Sequence, residues 1–411
     1  MASLTSACTG SGDSEGESSE KATVVVWYWG TPDDKVMRQI DADYMAAHPN
    51  VTIKRVVQPG TTFPTLMQST VAARKGPDLF AMYASPFVFD YTAGVEGIEK
   101  YITDKDKAEV IGYSQTTTKA GKAHGVPFDA NGNMMYYDKA KFDKAGISGP
   151  PETWDDMLQA CDKLNAAGIT PIQAGWKDGG YLEWWLSLLA VQYQTDAETE
   201  KAVTDPDWKS PSLQKGLDRV RELRDRDCFT PDAESIPLFP DTVNSFKAGK
   251  AAMMVGLSAG DIHWKQFRET KWGKDGLGAF LLPLVPGSEW DAPRVNYTAG
   301  TVWAVTKWSK HKEAAVDFAK YMASAEVQTK YFGGMGAFPA NLKATPEMGD
   351  DVGDQILGYT KTNDPYGGQF SLIRGVVEAE VLKFAAALVS GDKDWKDIED
   401  SLQEKQDRGA E

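Results

Sequence analysis

The chain has 411 residues, 42% apolar and 25% charged, which excludes disorder of the whole and leaves room for two or three domains. No run approaches the roughly 18 consecutive apolar residues of a membrane span. The 44 basic and 59 acidic residues give a net charge of −15, which repels phosphate backbones and argues against nucleic acid as a partner. From Thr9 to about Lys21 the chain is rich in Gly, Ser and Glu and reads as a flexible tether. The first ordered element is predicted at Thr23–Trp29, a β-branched and aromatic strand ended by Gly30-Thr31-Pro32-Asp33. An amphipathic helix follows over Asp34–His48, a strand over Val51–Val57, a helix over Phe63–Lys75 and a strand over Pro77–Tyr83. This alternation predicts a parallel α/β lobe. Ligands of such lobes gather beyond the C-terminal strand ends, here Trp29–Thr31 and Met82–Ser85.

Gly125–Tyr137 reads as extended. Helices then dominate, with Thr153–Gly168 opened by the N-cap Thr153 and Asp156 three residues on, and a second helix over Ser212–Asp227. Strands are predicted at Ala251–Val255, Leu277–Leu282 and Thr301–Thr306, then a helix over Lys310–Ala323 and a polar one from Trp395 to about Gln406. Of the three cysteines, Cys161 lies on the apolar face of the first of these helices and Cys228 just past the end of the second. In an exported protein such a pair beside a shared core reads as a disulfide; otherwise it reads as two buried thiols. Neither has metal-ligand spacing with a His, and no metal or cofactor is expected.

Two chemistries compete for the polar residues. Gly256-Leu257-Ser258-Ala259-Gly260 follows a strand and fits the nucleophile elbow G-x-S-x-G, with Asp261, Asp275, Asp291 and His311 downstream in the order a serine hydrolase needs. No HGGG-type oxyanion loop accompanies it, since His124-Gly125 runs on into Val-Pro. The binding signature is more widely distributed. Thirteen Trp are present, and aromatics sit beside small polar residues at predicted strand ends and loops: Trp27-Tyr28-Trp29, Tyr83, Trp176-Lys177-Asp178, Tyr181, Trp184-Trp185, Tyr297 and Trp303. Flat rings with short polar neighbours suit a sugar, which offers apolar C–H faces inside a rim of hydroxyls. Trp27 and Trp29 share one strand face, and Trp29, nearer the strand end, is the better ligand candidate. Asp129 with Asn131, and Glu183 among its aromatics, are candidate hydroxyl partners.

Taken together, the segments from Thr23 to Gln406 resemble the family 1 extracellular solute-binding proteins of bacterial ABC importers, the maltose-binding-protein-like group. The residues that carry the resemblance are Gly125-Val-Pro-Phe-Asp129, Met135-Tyr-Tyr-Asp-Lys-Ala-Lys-Phe-Asp-Lys-Ala-Gly-Ile147 and Pro150-Pro-Glu-Thr-Trp-Asp-Asp-Met157. Gly76-Pro-Asp-Leu79, Phe246-Lys-Ala-Gly-Lys-Ala-Ala-Met253 and Trp308-Ser-Lys-His-Lys-Glu-Ala-Ala315 match as well, the last as a helix start with Ser309 as N-cap. Asp138 stands where Asn is usual and Asp156 where Glu is usual. Leu4-Thr5-Ser6-Ala7-Cys8 resembles a bacterial lipobox, with Thr5 in place of the usual aliphatic.

The resemblance implies an α/β, two-lobed, periplasmic-binding-protein-like fold with a hinge and an inter-lobe ligand cleft. Lobe one is expected at 23–129 plus 295–345 and lobe two at 130–294 plus 346–411. Residues 1–22 would be a signal remnant, the lipid-anchor Cys8 and a tether. The implied function is capture of a carbohydrate, a di- or oligosaccharide, outside the cell membrane and delivery to ABC permease subunits, by a monomeric lipoprotein that is not an enzyme. Other readings keep the fold but bind a polyamine, glycerophosphodiester or osmolyte, make it a surface adhesion or sensor lipoprotein, or use Ser258 as a hydrolase. Carried onto this sequence, the ligand set is Trp29, Thr31, Tyr83, Ser85, Asp129, Asn131, Trp176, Asp178, Tyr181, Trp184, Ser258, Tyr297, Gly300 and Arg374.

Overall fold

The computed structural model describes residues 21–29, 34–59, 63–84, 93–117, 121–258, 266–267, 269–273, 275–349, 351–367 and 375–408. Strand β1 (Ala22–Trp29) buries Val24 and Val26 on one face. The helix Lys35–Ala47 packs Met37, Ile40 and Tyr44 inward at helical spacing, and its N-cap Asp34 accepts from Met37 N at 3.0 Å. Strands β2 (Val51–Gln58) and β3 (Leu79–Tyr83) both pair parallel with β1. The predicted β-α-β-α-β alternation therefore forms as one lobe.

Three short segments then run consecutively through three different sheets. Strand β4 (Val126–Pro127) belongs to the first sheet, β5 (Asp129–Asn131) to a bridging sheet and β6 (Asn133–Asp138) to the sheet of the second lobe. The second sheet is completed by β7 (Thr170–Ile172), β8 (Ala251–Leu257) and β9 (Leu277–Phe280), in the order β7-β8-β6-β9. Every residue of β6 is buried. A strand covered on both faces reads as continuously apolar, as Met134-Met-Tyr-Tyr137 does.

The chain crosses back through β10 (Val295–Asn296), β11 (Thr298–Ala299) and β12 (Thr301–Val305). Strand β12 pairs antiparallel with both β3 and β4, giving the first sheet the order β2-β1-β3-β12-β4. Strand β5 lies between β11 and β13 (Phe338–Pro339), and β10 pairs with β14 (Pro365–Tyr366). The two crossings touch closely. A Cβ on Gly132 would lie 1.5 Å from the Asn296 carbonyl oxygen, so only glycine fits there.

The helix Trp154–Ala166 carries the expected capping box: Thr153 and Asp156 each bond the other's backbone N–H. A disulfide joins Cys161 of this helix to Cys228, with Cα atoms 5.3 Å apart, so the paired reading holds. The helices Gly180–Leu189, Pro211–Asp225 and Gly375–Ser390 pack on one another. Trp176, Trp185, Trp208 and Trp395 fill the second lobe's core. The predicted role of Ser309 needs correction. The helix starts at Lys312 with His311 as N-cap, and Ser309 acts in the turn before it: its hydroxyl donates to Asp78 Oδ1 at 2.7 Å and accepts from His311 N at 3.1 Å. Among the described residues no helix is long and apolar enough to cross a membrane, and no cluster of three metal-ligating side chains occurs.

Candidate ligand-binding cleft

A cavity of about 210 Å³ opens where the two lobes and the crossing strands meet. Lobe one contributes Tyr83, the last residue of β3, and Ala84 beside it. Tyr83 is 49% exposed, unusual for a ring this large, and its ring lies 4.7 Å from that of Trp29. Trp29 is half-buried and braced edge-on by Phe63 at 5.1 Å. It forms a backing for Tyr83 rather than part of the cavity wall.

Lobe two contributes Glu183, Trp184 and Ser187, all on the helix Gly180–Leu189. Its N-cap is Gly179, which has a φ of 75° and where an added Cβ would lie 2.4 Å from Leu382 Cα. Glycine there allows both the left-handed turn and the close approach of the helix Gly375–Ser390. The Trp184 ring meets Phe239 edge-on at 5.9 Å, and Phe239 is 48% exposed. The crossings supply Asn131, Gly132, Asn133, Asn296, Thr298 and Gly300, with Leu257 closing one side. The floor is thus amides and a hydroxyl, and the two walls each carry a ring.

Carboxyl groups near the cleft bind protons tightly. Burial first, and the Glu378 charge second, push the Glu183 carboxyl well above its ordinary value. Burial raises Asp129 to about 6, although hydrogen bonds from the Thr301 backbone N–H and hydroxyl work the other way.

With this geometry in view the wider relationships are informative. The profile of the bacterial extracellular solute-binding proteins matches residues 39–355, most of the chain. The chain belongs to that family. A multiple sugar-binding protein of Streptococcus mutans is 24% identical over 365 residues, covering 84% of this chain and 80% of that one. Among solved structures, the cyclic α-maltosyl-1,6-maltose binding protein of Arthrobacter globiformis superposes with a TM-score of 0.76 at 18% identity, covering 94% of this chain and 98% of that one. A chitin oligosaccharide binding protein does so with 0.73 at 20% identity, over 94% and 98% of the two chains. The fold is the two-lobed fold of these binding proteins, and the family works outside the cytoplasm.

Within this solute-binding protein the predicted ligand residues separate into groups. Tyr83, Asn131, Trp184 and Gly300 line the cavity, with Trp29 behind Tyr83. Thr31, Ser85, Arg374 and Cys8 lie outside the described residues. The structure turns the others to structural work. Trp176 and Tyr181 are 1% and 0% exposed, and the Tyr181 hydroxyl donates to the Gln173 carbonyl and accepts from Val255 N. Asp178 accepts from Leu238 N at 2.9 Å and so braces the loop that carries Phe239. Tyr297 is 3% exposed and donates to the Pro339 carbonyl. Asp129 ties the first crossing to β12 through Thr301 N and, at 3.1 Å, Thr301 Oγ1.

Ser258 is fully buried, and its Oγ accepts from Gly132 N at 3.0 Å while its own N–H donates to the Gly132 carbonyl. It is a strut between β8 and the crossing. Sequence reasoning missed Asn133, Ser187, Asn296 and Thr298 as lining residues, and Phe239 as the ring beside Trp184. Asn133 had a usable signal, the Asp129-Ala-Asn-Gly-Asn133 run. Ser187 lies one turn after Glu183, on the same helix face. Phe239 and Asn296 are set by tertiary packing and had none.

Proposed function

We propose that this solute-binding protein captures a carbohydrate, a di- or oligosaccharide, and delivers it to the permease of an ABC importer. The observation that carries the reading is the pair of aromatic walls, Tyr83 from one lobe and Trp184 from the other, with short amides and hydroxyls between them. A sugar ring stacks its C–H face on such a wall while the amides answer its hydroxyls. The sugar ligands named for the Streptococcus mutans relative and for the two solved structures support the same class. We take lobe one as 23–129 plus 295–345 and lobe two as 130–294 plus 346–411, a division supported by the two larger sheets, with the short ladder of β10 and β14 crossing it.

The test is calorimetry with a panel of mono- and oligosaccharides on wild type, Tyr83→Ala and Trp184→Ala. Micromolar or tighter binding of one sugar class is expected in wild type. Each truncation should weaken it about thirtyfold, as removal of a buried aromatic anchor worth about 2 kcal/mol does. Binding of a polyamine or osmolyte with no response to any sugar would overturn the carbohydrate reading and leave the importer role standing.

The protein acts as a binder without catalysis in this reading, which the placement of Ser258 supports: a nucleophile needs access and a base, and Ser258 is buried as an acceptor. Its place is the outer face of the cell membrane, held through lipid on Cys8 after the lipobox-like Leu4–Ala7 segment. Mass spectrometry of the membrane fraction should find a diacylglyceryl adduct on Cys8. A mature peptide that reads unbroken and unmodified through Cys8 would refute the anchor.

A further inference from the structure

The polar groups of the residues that line the cleft are unequal in kind. Oδ1 of Asn131, Oδ1 of Asn133 and Oε1 of Glu183 are buried acceptors with no hydrogen-bond partner, and all three residues line the cavity. The orientation of Asn133 is fixed by its neighbours. The Ser187 hydroxyl donates to the Trp184 carbonyl at 2.7 Å, so its oxygen can only accept from Asn133 Nδ2, which lies 2.9 Å away. Oδ1 of Asn133, a residue only 8% exposed, is therefore the end left without a partner. Glu183 stands one helical turn before Ser187 and so beside Asn133.

Among the described residues the charge around this corner has one sign. Glu378, on the helix Gly375–Ser390 that packs against the helix of Glu183, is the charged group that acts on Glu183. Neither carboxyl has an ion-pair partner among the described residues, and no Lys, Arg or His among them lines the cavity. A buried carboxylate next to another, with no cation among the described residues, is costly. In the empty protein the cost is relieved by a proton, in keeping with the raised proton affinity of both groups. A ligand hydroxyl could satisfy one acceptor but would leave the carboxyls holding their proton, whereas a cation can take that proton's place. An ammonium group brings a positive charge and three donors with no acceptor, which matches a wall of acceptors backed by two carboxyls. The Trp184 ring beside it suits a cation as well.

We propose that the ligand is a saccharide bearing a basic amino group, which seats on Glu183 and Asn133 with Glu378 behind them. This rests on the carbohydrate reading and narrows it.

The experiment compares matched pairs that differ only in one substituent: amino sugars and their hydroxyl parents on β-1,4-glucosyl, α-1,4-glucosyl and trehalose skeletons. Calorimetry at pH 7 should show the amino member of the binding pair at least tenfold tighter than its parent. Glu183→Gln should erase that preference, and Glu378→Gln should reduce it. Binding of the amino member should also release a proton, Glu183 and Glu378 being the groups that give it up, so the measured heat should change with the ionisation heat of the buffer. Thermal denaturation of the empty variants checks folding; Glu183→Gln should melt no lower than wild type, since it removes the need to take up a proton on burial. Equal or tighter binding of the parent sugars would overturn the inference and leave the carbohydrate reading intact. If no saccharide of either kind binds, the carbohydrate reading itself falls and this inference with it.

Discussion

Asp129 holds the first crossing to β12 at the expense of its own charge. Its carboxyl is raised to about 6, mainly by burial. A carboxyl whose proton affinity is higher in the folded state destabilises the fold when ionised. The penalty is absent below about pH 4, grows as pH rises towards 6 and is complete above it. Each tenfold change in proton affinity is worth ~1.4 kcal/mol, and allowing for the partial exposure of the side chain the penalty is ~2 kcal/mol. Asn keeps an acceptor for Thr301 N, and its amide N–H can donate to Thr301 Oγ1. Asp129→Asn should therefore stabilise the protein by up to ~2 kcal/mol at pH 7 and by little at pH 4. Urea unfolding across this range should give a shallower pH slope in the variant than in wild type. Equal slopes would mean that Asp129 is not the group responsible. Glu183 acts in the same direction, from its unfolded value upwards, so some slope should survive the substitution.

At the scale of elements, the sequence is clearest where local chemistry decides. The capping box at Thr153 and Asp156 and the period of Met37, Ile40 and Tyr44 are satisfied within one turn or one face, so composition alone places those helices. The lobe-two core is a harder case. Trp176 and Tyr181 have the composition of a sugar platform, yet both are packed away, because the same flat rings that suit a sugar also fill a large core. Trp184 sits between Tyr181 and Trp185 in the same short helix, and only the helix rotation against β8 and the Phe239 loop decides which ring meets the cleft. The extended run Gly125–Tyr137 was legible as extended, but not its division among three sheets. That division depends on Gly132, which tolerates the Asn296 backbone, and on Ser258, which bonds both the N–H and the carbonyl of Gly132. A G-x-S-x-G pattern thus marks a joint between crossing strands here, a distinction invisible without the partner strand.

For the whole molecule, the lobes are linked mainly through short ladders. β5 pairs with β11 through two residue pairs and with β13 through two more, while the larger sheets stay within their own lobes. Such a bridge offers few hydrogen bonds to reorganise when it bends, whereas shear between two packed cores would cost many contacts. A ligand shifts the balance of open and closed forms only by the contacts it makes better in one than the other. Tyr83 and Trp184 come from opposite lobes, so a sugar touching both favours the closed form, and one touching a single ring does not. Small-angle scattering should accordingly show a smaller radius of gyration for wild type saturated with its sugar than for the empty protein. Trp184→Ala, even at ligand concentrations high enough to saturate it, should compact less, because the lobe-two contact that rewards closure is gone. An unchanged radius of gyration in saturated wild type would mean that the lobes are already fixed at their working distance, and that affinity is set by one wall of the cleft alone.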